Sequence, residues 1–336
     1  MNTDMKRAGN LIEAIADIEN LRYAYIKARR GKEGKYEVQR FSKSLDENLL
    51  KLKKSVENGC VDVGKYHYFK IFDPKERMIC AAAFDERVLH HAIMNVCHQY
   101  FDRNLISDTY ATRIGKGIYK ALDKTFHEMH NYRYVAKLDF RKYFDSISHD
   151  ILKMKLKTLL KDNKLLNILY EIIDSYSTTE GRGIPIGNLT SQYFANFYLS
   201  EMDHYIKEVL KVRFYVRYMD DMLLMSDELD ELKLYVSCIK SFAENNLGLT
   251  LKPVVINVCV KGISFLGYTV YPEKILLNRL SKNRFKTKCH DYERKLYENE
   301  WNETEYSYHV TPLYGYCCHA YSKMLRKCCQ TVVVRQ

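Results

Sequence analysis

The sequence is poor in the residues that usually separate domains. Proline occurs 5 times and glycine 14 times in 336 residues, and the two do not cluster into a flexible break. There is also no low-complexity stretch and no internal repeat. Linkers between independent domains are typically rich in such segments. We therefore expect one continuous functional unit built from subdomains, although the length alone would allow two domains.

Long apolar runs and standard cysteine motifs are missing as well. No stretch approaches the ~20 apolar residues that a membrane-spanning helix needs, and the charged start, Met1–Asn10, lacks the apolar core of a signal peptide. Ten cysteines occur without any Cys-x-x-Cys spacing, which favours free thiols in a reducing compartment. We expect a cytoplasmic protein with no membrane partner. Zinc binding by the pairs Cys317-Cys318 and Cys328-Cys329 with His319 is an alternative, but the spacing fits no standard structural site.

Positive charge and tyrosine are in excess. Lysine and arginine number 53 against 42 aspartates and glutamates, a net charge of +11, and such a balance favours polyanionic partners. The 28 tyrosines interleave with basic residues in segments such as Lys65–Lys70. Aromatic faces can stack on bases while cations hold phosphates, although half-buried packing explains any single tyrosine at least as well. Nucleic acid is the partner that fits this composition best.

The most informative motif is a pair of adjacent aspartates. Asp220 and Asp221 interrupt a largely apolar stretch from Phe214 to Met225, which predicts a β-hairpin with acid at its tip. An isolated Asp-Asp would usually be a solvated turn, but a second predicted strand, Tyr134–Leu138, ends at Asp139. Three strand-end carboxylates are the minimum set for two Mg²⁺ ions, which together can activate a 3′-hydroxyl and stabilise the leaving pyrophosphate.

Several spaced segments make the chain resemble a reverse transcriptase. Residues 137–145 (KLDFRKYFD) are similar to the first catalytic motif of that family, and residues 217–221 (RYMDD) are similar to the third. Residues 108–117 resemble a Tyr-Ala-x-Arg-x-Gly-Lys-Gly block, and residues 264–268 resemble the primer-grip motif. The resemblance extends from about residue 21 to residue 271.

The loop between these motifs resembles one branch of the family in particular. Most reverse transcriptases have Gln-Gly here, followed three residues later by Ser-Pro. In this chain Ile186 precedes Gly187, and Gln192 follows Ser191. This double replacement resembles the enzymes of diversity-generating retroelements. The resemblance implies that a template-repeat RNA is copied into cDNA with errors at template adenines, and that a small basic accessory protein is a partner.

The resemblance also implies an α+β fold with right-hand polymerase architecture, in which an antiparallel palm sheet bears the catalytic carboxylates. We expect fingers over residues 1–130, with part of 148–182 returning to them, a palm over 131–271 and a thumb over 272–336. Apolar periodicity predicts that the first ~130 residues are mostly helical. The basic segment after residue 271 fits a thumb helix against the template–primer backbone, although a solvated basic helix would have the same pattern.

Individual residues acquire roles through the resemblance. Asp139, Asp220 and Asp221, with the backbone carbonyl of Phe140, would hold two Mg²⁺ ions. The expected contacts to the incoming deoxynucleotide are Lys70 and Arg77 of a predicted fingers hairpin, Phe144 beside the sugar, and the loop residues Ile186, Gly187 and Gln192. The expected contacts to the template RNA and the cDNA/RNA duplex are Arg113, Lys116, Tyr218, Phe265, Leu266 and Gly267. Arg113 and Lys116 could equally contact the nucleotide.

Some of these assignments have competitors. Lys75 competes with Lys70 and Arg77 because the sequence does not fix the hairpin register, and each of these cations could equally be a solvated surface charge. Phe144 could be an ordinary core residue. Lys252 is the local candidate for a general acid toward pyrophosphate, at a place where the sequence departs from the pattern of many relatives.

Two other functions stay open. A retron or group II intron type reverse transcriptase of ordinary fidelity would share the catalytic motifs, but Ile186 and Gln192 argue against it. A catalytically silent, polymerase-like RNA-binding scaffold would not need the intact Asp139, Asp220 and Asp221.

Overall fold

The computed structural model describes residues 7–72 and 76–330. Within them, α-helices span Ile12–Ala16 (α1), Ile18–Arg29 (α2), Tyr36–Lys43 (α3), Leu45–Asn58 (α4), Phe84–Arg103 (α5), Ile118–Glu128 (α6), Tyr143–Ser146 (α7), His149–Leu159 (α8), Asn163–Asp174 (α9), Leu189–Tyr198 (α10), Ser200–His204 (α11), Leu229–Leu247 (α12), Arg279–Tyr297 (α13), Glu303–Cys318 (α14) and Lys323–Gln330 (α15). A π-helical turn covers Tyr205–Val209, and a 3-10 turn covers Cys259–Lys261.

The strands are fewer than the helices. They span Tyr66–Phe72 (β1), Glu76–Ala82 (β2), Tyr134–Leu138 (β3), Phe214–Tyr218 (β4), Asp221–Ser226 (β5), Val255–Val258 (β6), Ile263–Phe265 (β7), Tyr268–Val270 (β8) and Ile275–Leu277 (β9). All the pairings between these strands are antiparallel. The fold is therefore of the α+β class, as the sequence predicts.

The chain forms two compact units that are interleaved along the sequence. The first contains the described residues up to Ser107, together with 140–210 and 238–252. The second contains 108–139, 211–237 and the described residues from Pro253 onward.

The first unit is mostly helical. Its longest helix, α5, buries Leu89, Ile93 and Cys97, which recur at the four-residue spacing of one helical face. The helices α2 and α10 both pack against α5. Immediately before α5, β1 and β2 form the predicted hairpin, whose connecting residues 73–75 lie outside the described residues.

The second unit is built on a four-stranded sheet with the order β4-β5-β3-β6. The central strand β5 is buried from Met222 to Met225, which explains its continuous apolar sequence. The strand β3 has the bounds that the sequence predicts, and β4 and β5 form the predicted hairpin. Helix α6 covers part of this sheet, because Ala121 and Leu122 belong to the same apolar core as Val216.

The C-terminal part of the second unit contains a small sheet and three helices. The sheet has the order β7-β8-β9, and α13 packs against α14 around the buried Phe285, Cys289 and Cys317. Leu280 precedes Phe285 on α13 and is 66% exposed. It lies five residues earlier, which is about 140° around an α-helix, so it points away from the core.

No helix in the described ranges has the length and apolarity that a bilayer crossing requires. The cysteines whose side chains are described are free thiols. The side chains of Cys328 and Cys329, which the zinc alternative needs, lie outside the described part of the chain.

Candidate active site

Two carboxylates from different segments meet at the end of the large sheet. Asp139 follows β3, and Asp220 occupies the turn between β4 and β5. The register pairs Leu138 with Met222, so the end of β3 reaches this turn. The side chains of Asp139 and Asp220 lie within hydrogen-bonding distance of each other. The structure thus brings together the two strand-end acids that the sequence singles out.

The environment of this pair favours a bound cation. Burial of Asp220 and the neighbouring Asp139 carboxylate raise the pKa of Asp220 to about 6, because both effects disfavour its ionised form. A divalent cation reverses the balance, since it compensates both negative charges at once. Carboxylate oxygens are the donors that Mg²⁺ prefers, so the donor set fits a hard divalent ion.

The third carboxylate, Asp221, is bound by a lysine. The Nζ atom of Lys137 lies 3.0 Å from Oδ1 of Asp221 and 3.2 Å from its Oδ2. Among the side chains that the structure describes, no group of three or more His, Cys, Asp or Glu residues is arranged to hold a metal. The sequence predicts a cluster of three acids. In the structure two of them, Asp139 and Asp220, form a close pair, and the third, Asp221, forms an ion pair with Lys137.

Lys137 is a site residue to which the sequence analysis gave no role. Lys137 lies two residues before Asp139, and alternate residues of a strand share one face. This spacing could have indicated that Lys137 lies on the same side of the sheet as Asp139. Phe140 directly follows Asp139 in the sequence. Its ring is buried and stacks on the Tyr143 ring, with the ring centroids 5.7 Å apart.

The two cations expected at the triphosphate project from opposite faces of the β1–β2 hairpin. Lys70 is paired with Met78, whereas Arg77 is paired with Ile71. Directly paired residues share a face and adjacent residues alternate. Lys70 forms an ion pair with Glu76, in which Nζ and Oε1 are 2.6 Å apart. The register, which the sequence leaves open, therefore places these two candidate cations on opposite faces of the hairpin.

Arg77 lies on the hairpin face that contacts the glycine motif. It shares that face with Ile79, and a Cβ atom built on Gly187 would lie 2.8 Å from Cγ2 of Ile79. Gly187 also has a φ of +123°, so both the close approach and the backbone conformation require glycine. The competitor Lys75 lies outside the described residues.

Hydrogen bonds attach the loop around Gly187 to β2. The backbone N–H of Cys80 donates to the Ile186 carbonyl at 2.8 Å, and the N–H of Ala82 donates to Oδ1 of Asn188 at 3.1 Å. Helix α10 begins directly after Asn188. On this helix Gln192 is exposed, whereas the Ile186 side chain is half-buried.

Of the two aromatic rings after Asp139, Phe144 is the more accessible. Tyr143 is buried and its hydroxyl donates to the Ala195 carbonyl. Phe144 is half-buried and packs edge-on against Tyr143, with ring centroids 5.8 Å apart. A ligand in the first unit can therefore contact the Phe144 ring but not the Tyr143 ring.

The primer-grip segment forms the turn between β7 and β8. Leu266 and Gly267 both have positive φ values, 50° and 89°. A Cβ atom at Gly267 would lie 2.1 Å from the hydroxyl oxygen of Tyr316, so only glycine fits there. The Phe265 ring is fully buried. The ring fills the core beneath the turn, so the expected contact of Phe265 with nucleic acid would have to be made by its backbone.

Two of the remaining candidates, Arg113 and Lys116, contact residues of their own unit. In the second unit, Nη1 of Arg113 donates to Oγ1 of Thr109 at 3.0 Å, and Nζ of Lys116 lies 4.8 Å from the centroid of the Tyr110 ring. Tyr218 and Lys252 are both half-buried.

Comparison with known proteins agrees with these motifs. The family model described as reverse transcriptase (RNA-dependent DNA polymerase) matches residues 70–270, more than half of the chain. The COX1/OXI3 intron 2 protein of Saccharomyces cerevisiae is 20% identical over 341 residues, which cover 77% of this chain and 38% of that protein. The group II intron-encoded protein LtrA of Lactococcus lactis subsp. cremoris is 22% identical over 179 residues, which cover 50% of this chain and 30% of that protein.

The chain thus matches less than half the length of these curated relatives. Among solved structures, telomerase from Candida tropicalis in complex with a fragment of telomeric RNA aligns with a TM-score of 0.49 and 13% identity. The alignment covers 81% of this chain and 54% of the telomerase chain.

Proposed function

The chain belongs to the reverse transcriptase (RNA-dependent DNA polymerase) family, and from this premise we propose that it is an RNA-directed DNA polymerase that extends a primer with deoxynucleotides on an RNA template. The observation that carries the proposal is the pairing of Asp139 with Asp220 at the end of two antiparallel strands. Such a pair is unfavourable in a metal-free protein. Binding of catalytic cations accounts for its presence.

We propose that the metal site consists of this pair and its neighbours in the sequence. Asp139 and Asp220 would bind two Mg²⁺ ions, with Asp221 and the Phe140 carbonyl as further ligands. When bound, two such ions activate the primer 3′-hydroxyl and stabilise the leaving pyrophosphate. The protein itself mainly positions the reactants and stabilises charge.

In the first unit, Arg77 would contact the triphosphate from the hairpin face that abuts Gly187. The Phe144 ring would lie against the sugar and exclude a 2′-hydroxyl. The loop from Ile186 to Gln192, held along β2, would line the nascent base pair. Lys252 is the candidate proton donor to pyrophosphate.

We assign the fingers to residues 1–130 with part of 148–182, the palm to 131–271 and the thumb to 272–336. The thumb helix α13 would contact the template–primer backbone. Its exposed cations include Arg279, Lys282, Arg284 and Lys286. In the palm, Tyr218 and the turn at Leu266 and Gly267 would contact the primer. In the fingers, Arg113 and Lys116 would contact the template.

A primer-extension assay tests the proposal. The purified protein is given a DNA primer on an RNA template, deoxynucleotides and Mg²⁺, with and without candidate accessory protein. We expect extension that is lost when a chelator removes the metal. A protein that binds the RNA tightly but does not extend the primer under either condition would instead be the polymerase-like scaffold.

We further propose that the enzyme serves a diversity-generating retroelement with a small basic accessory protein, and that it makes errors at template adenines. The support is the combination of Ile186, whose carbonyl accepts a hydrogen bond from β2, with Gln192 on α10. The intron-encoded relatives favour a second candidate, a group II intron type enzyme of ordinary fidelity. Neighbouring DNA repeats that differ at adenines would favour the first candidate, and an intron RNA around the coding region would favour the second.

The variant Ile186→Gln tests the proposed source of errors. A restored amide could hydrogen-bond near the forming pair, and one such bond contributes ~0.5–1.5 kcal/mol, a few-fold to about tenfold in selectivity. We expect fewer errors opposite adenine and little change opposite other bases, measured by sequencing cDNA made on one RNA template. An unchanged adenine error spectrum would show that infidelity arises elsewhere.

A further inference from the structure

One lysine connects the candidate catalytic acids to the turn predicted to hold the primer. Lys137 lies in the middle of the sheet, between the buried residues Ala136 and Leu138 of β3. Its ammonium group donates to the Ser264 carbonyl at 3.0 Å and lies 3.0 Å from Oδ1 of Asp221. All of these residues belong to the second unit. The Lys137 side chain is 24% exposed, so it does not extend into solvent as most lysines do.

The turn that Lys137 contacts is also held from a second side. The backbone N–H of Asn278 donates to the Gly267 carbonyl at 3.1 Å, and Nδ2 of Asn278 donates to Oγ of Ser264 at 3.4 Å. Positive φ values at both central residues are typical of a tight type I′ turn. Two residues thus fix the turn by hydrogen bonds: Asn278, which precedes α13, and Lys137, which lies in the large sheet.

We propose that Lys137 is a positioning residue, which holds the Asp221 carboxylate and the 264–268 turn in one fixed arrangement. This inference rests on the proposed polymerase function, in which the turn places the primer end and the acids bind the metal ions. Without the ammonium group, Asp221 would lose its ion pair with Lys137, and the Ser264 carbonyl would lose the hydrogen bond from Lys137. A misplacement of about 1 Å between reacting groups can cost ~10²-fold in rate.

The test compares Lys137→Met with Lys137→Arg. Methionine keeps an unbranched chain but removes the charge and the donors, whereas arginine retains both. Lys233→Met is the matched control, because Lys233 forms an exposed ion pair with Asp230, at 3.0 Å, and lies outside the site. Thermal melting establishes that each variant is folded.

The first measurement is amide hydrogen exchange of residues 263–270 in metal-free protein without nucleic acid. We expect exchange in Lys137→Met to rise about fivefold or more, because a hydrogen bond from a charged donor restrains local opening. Lys137→Arg should remain near wild type, and Lys233→Met should be unchanged. Equal exchange in wild type and Lys137→Met would overturn the inference, whatever the activity of the protein.

The second measurement is single-turnover primer extension at saturating deoxynucleotide. We expect the extension rate of Lys137→Met to fall ~10- to 100-fold, with substantial recovery in Lys137→Arg and an unchanged deoxynucleotide concentration for half-maximal rate. Normal extension by Lys137→Met would also overturn the inference. If wild type itself extends no primer while the exchange data respond as expected, the proposed function fails and the contact between sheet and turn stands.

Discussion

Replacement of Asp220 by asparagine should stabilise the metal-free protein and abolish DNA synthesis. Burial and Asp139 raise the pKa of Asp220 from 3.8 to about 6 in the folded state. One pKa unit corresponds to ~1.4 kcal/mol, so ionised Asp220 costs the fold about 1–3 kcal/mol at neutral pH. Asparagine has a similar shape and no charge, and it removes this cost.

The pH dependence of the effect has a defined sign. Below the unfolded-state pKa, near 3.8, the aspartate is protonated in both states and the variant should match wild type. Between pH 3.8 and 6 the unfolded chain loses the Asp220 proton while the folded wild type still holds it. The folded state then binds more protons than the unfolded state, so the stability of wild type falls relative to the variant as the pH rises. Above about pH 6 to 7 the difference should be constant.

Denaturant unfolding in chelator at pH 4, 6 and 7.5 measures this difference. Asp230→Asn is the control, because the Asp230 side chain is 95% exposed, and it should change stability little at any of these pH values. Addition of Mg²⁺ should stabilise wild type more than Asp220→Asn, since only wild type keeps both charges of the pair. RNA binding should persist in the variant because the basic surface is unchanged.

Two results would refute this reasoning. One is an Asp220→Asn protein that is less stable than wild type at pH 7.5 in chelator, which would mean that the carboxylate pair is not strained. The other is primer extension by the variant near the wild-type rate, which would remove Asp220 from the metal site.

Two further predictions concern the first unit. Phe144→Ala should raise the ratio of ribonucleotide to deoxynucleotide incorporation in competition assays, because it opens space for a 2′-hydroxyl; an unchanged ratio would identify Phe144 as core packing. Arg77→Ala should raise the deoxynucleotide concentration for half-maximal extension about tenfold or more, since a charged hydrogen bond contributes ~1.5–3 kcal/mol, whereas Lys70→Ala on the opposite hairpin face should change it less than about twofold. Equal losses in the two variants would show that the hairpin register does not decide which cation binds phosphate.

The elements that the sequence predicts well are those with strong local patterns. The strand from Tyr134 to Leu138 and the hairpin around Asp220 are apolar runs with a charged end, and such patterns need no knowledge of distant residues. The pairing of Asp139 with Asp220 follows from two strand ends that share one edge of a sheet.

The features that the sequence does not determine depend on register and on distant packing. The faces of Lys70 and Arg77 are fixed by the pairing of β1 with β2, and a shift of one residue would exchange the faces of one strand. Burial of Phe265 depends on the core beneath the small sheet. The bond from Lys137 to the Ser264 carbonyl joins strands more than a hundred residues apart in sequence, so no local pattern indicates it.

The most direct test of the central claim is transfer of one labelled deoxynucleotide to a DNA primer on an RNA template, by wild type and by Asp139→Asn. We expect Mg²⁺-dependent transfer by wild type, and no transfer by Asp139→Asn although it still binds the primer–template. Transfer by Asp139→Asn at the wild-type rate would contradict the claim that the paired carboxylates form the polymerase active site.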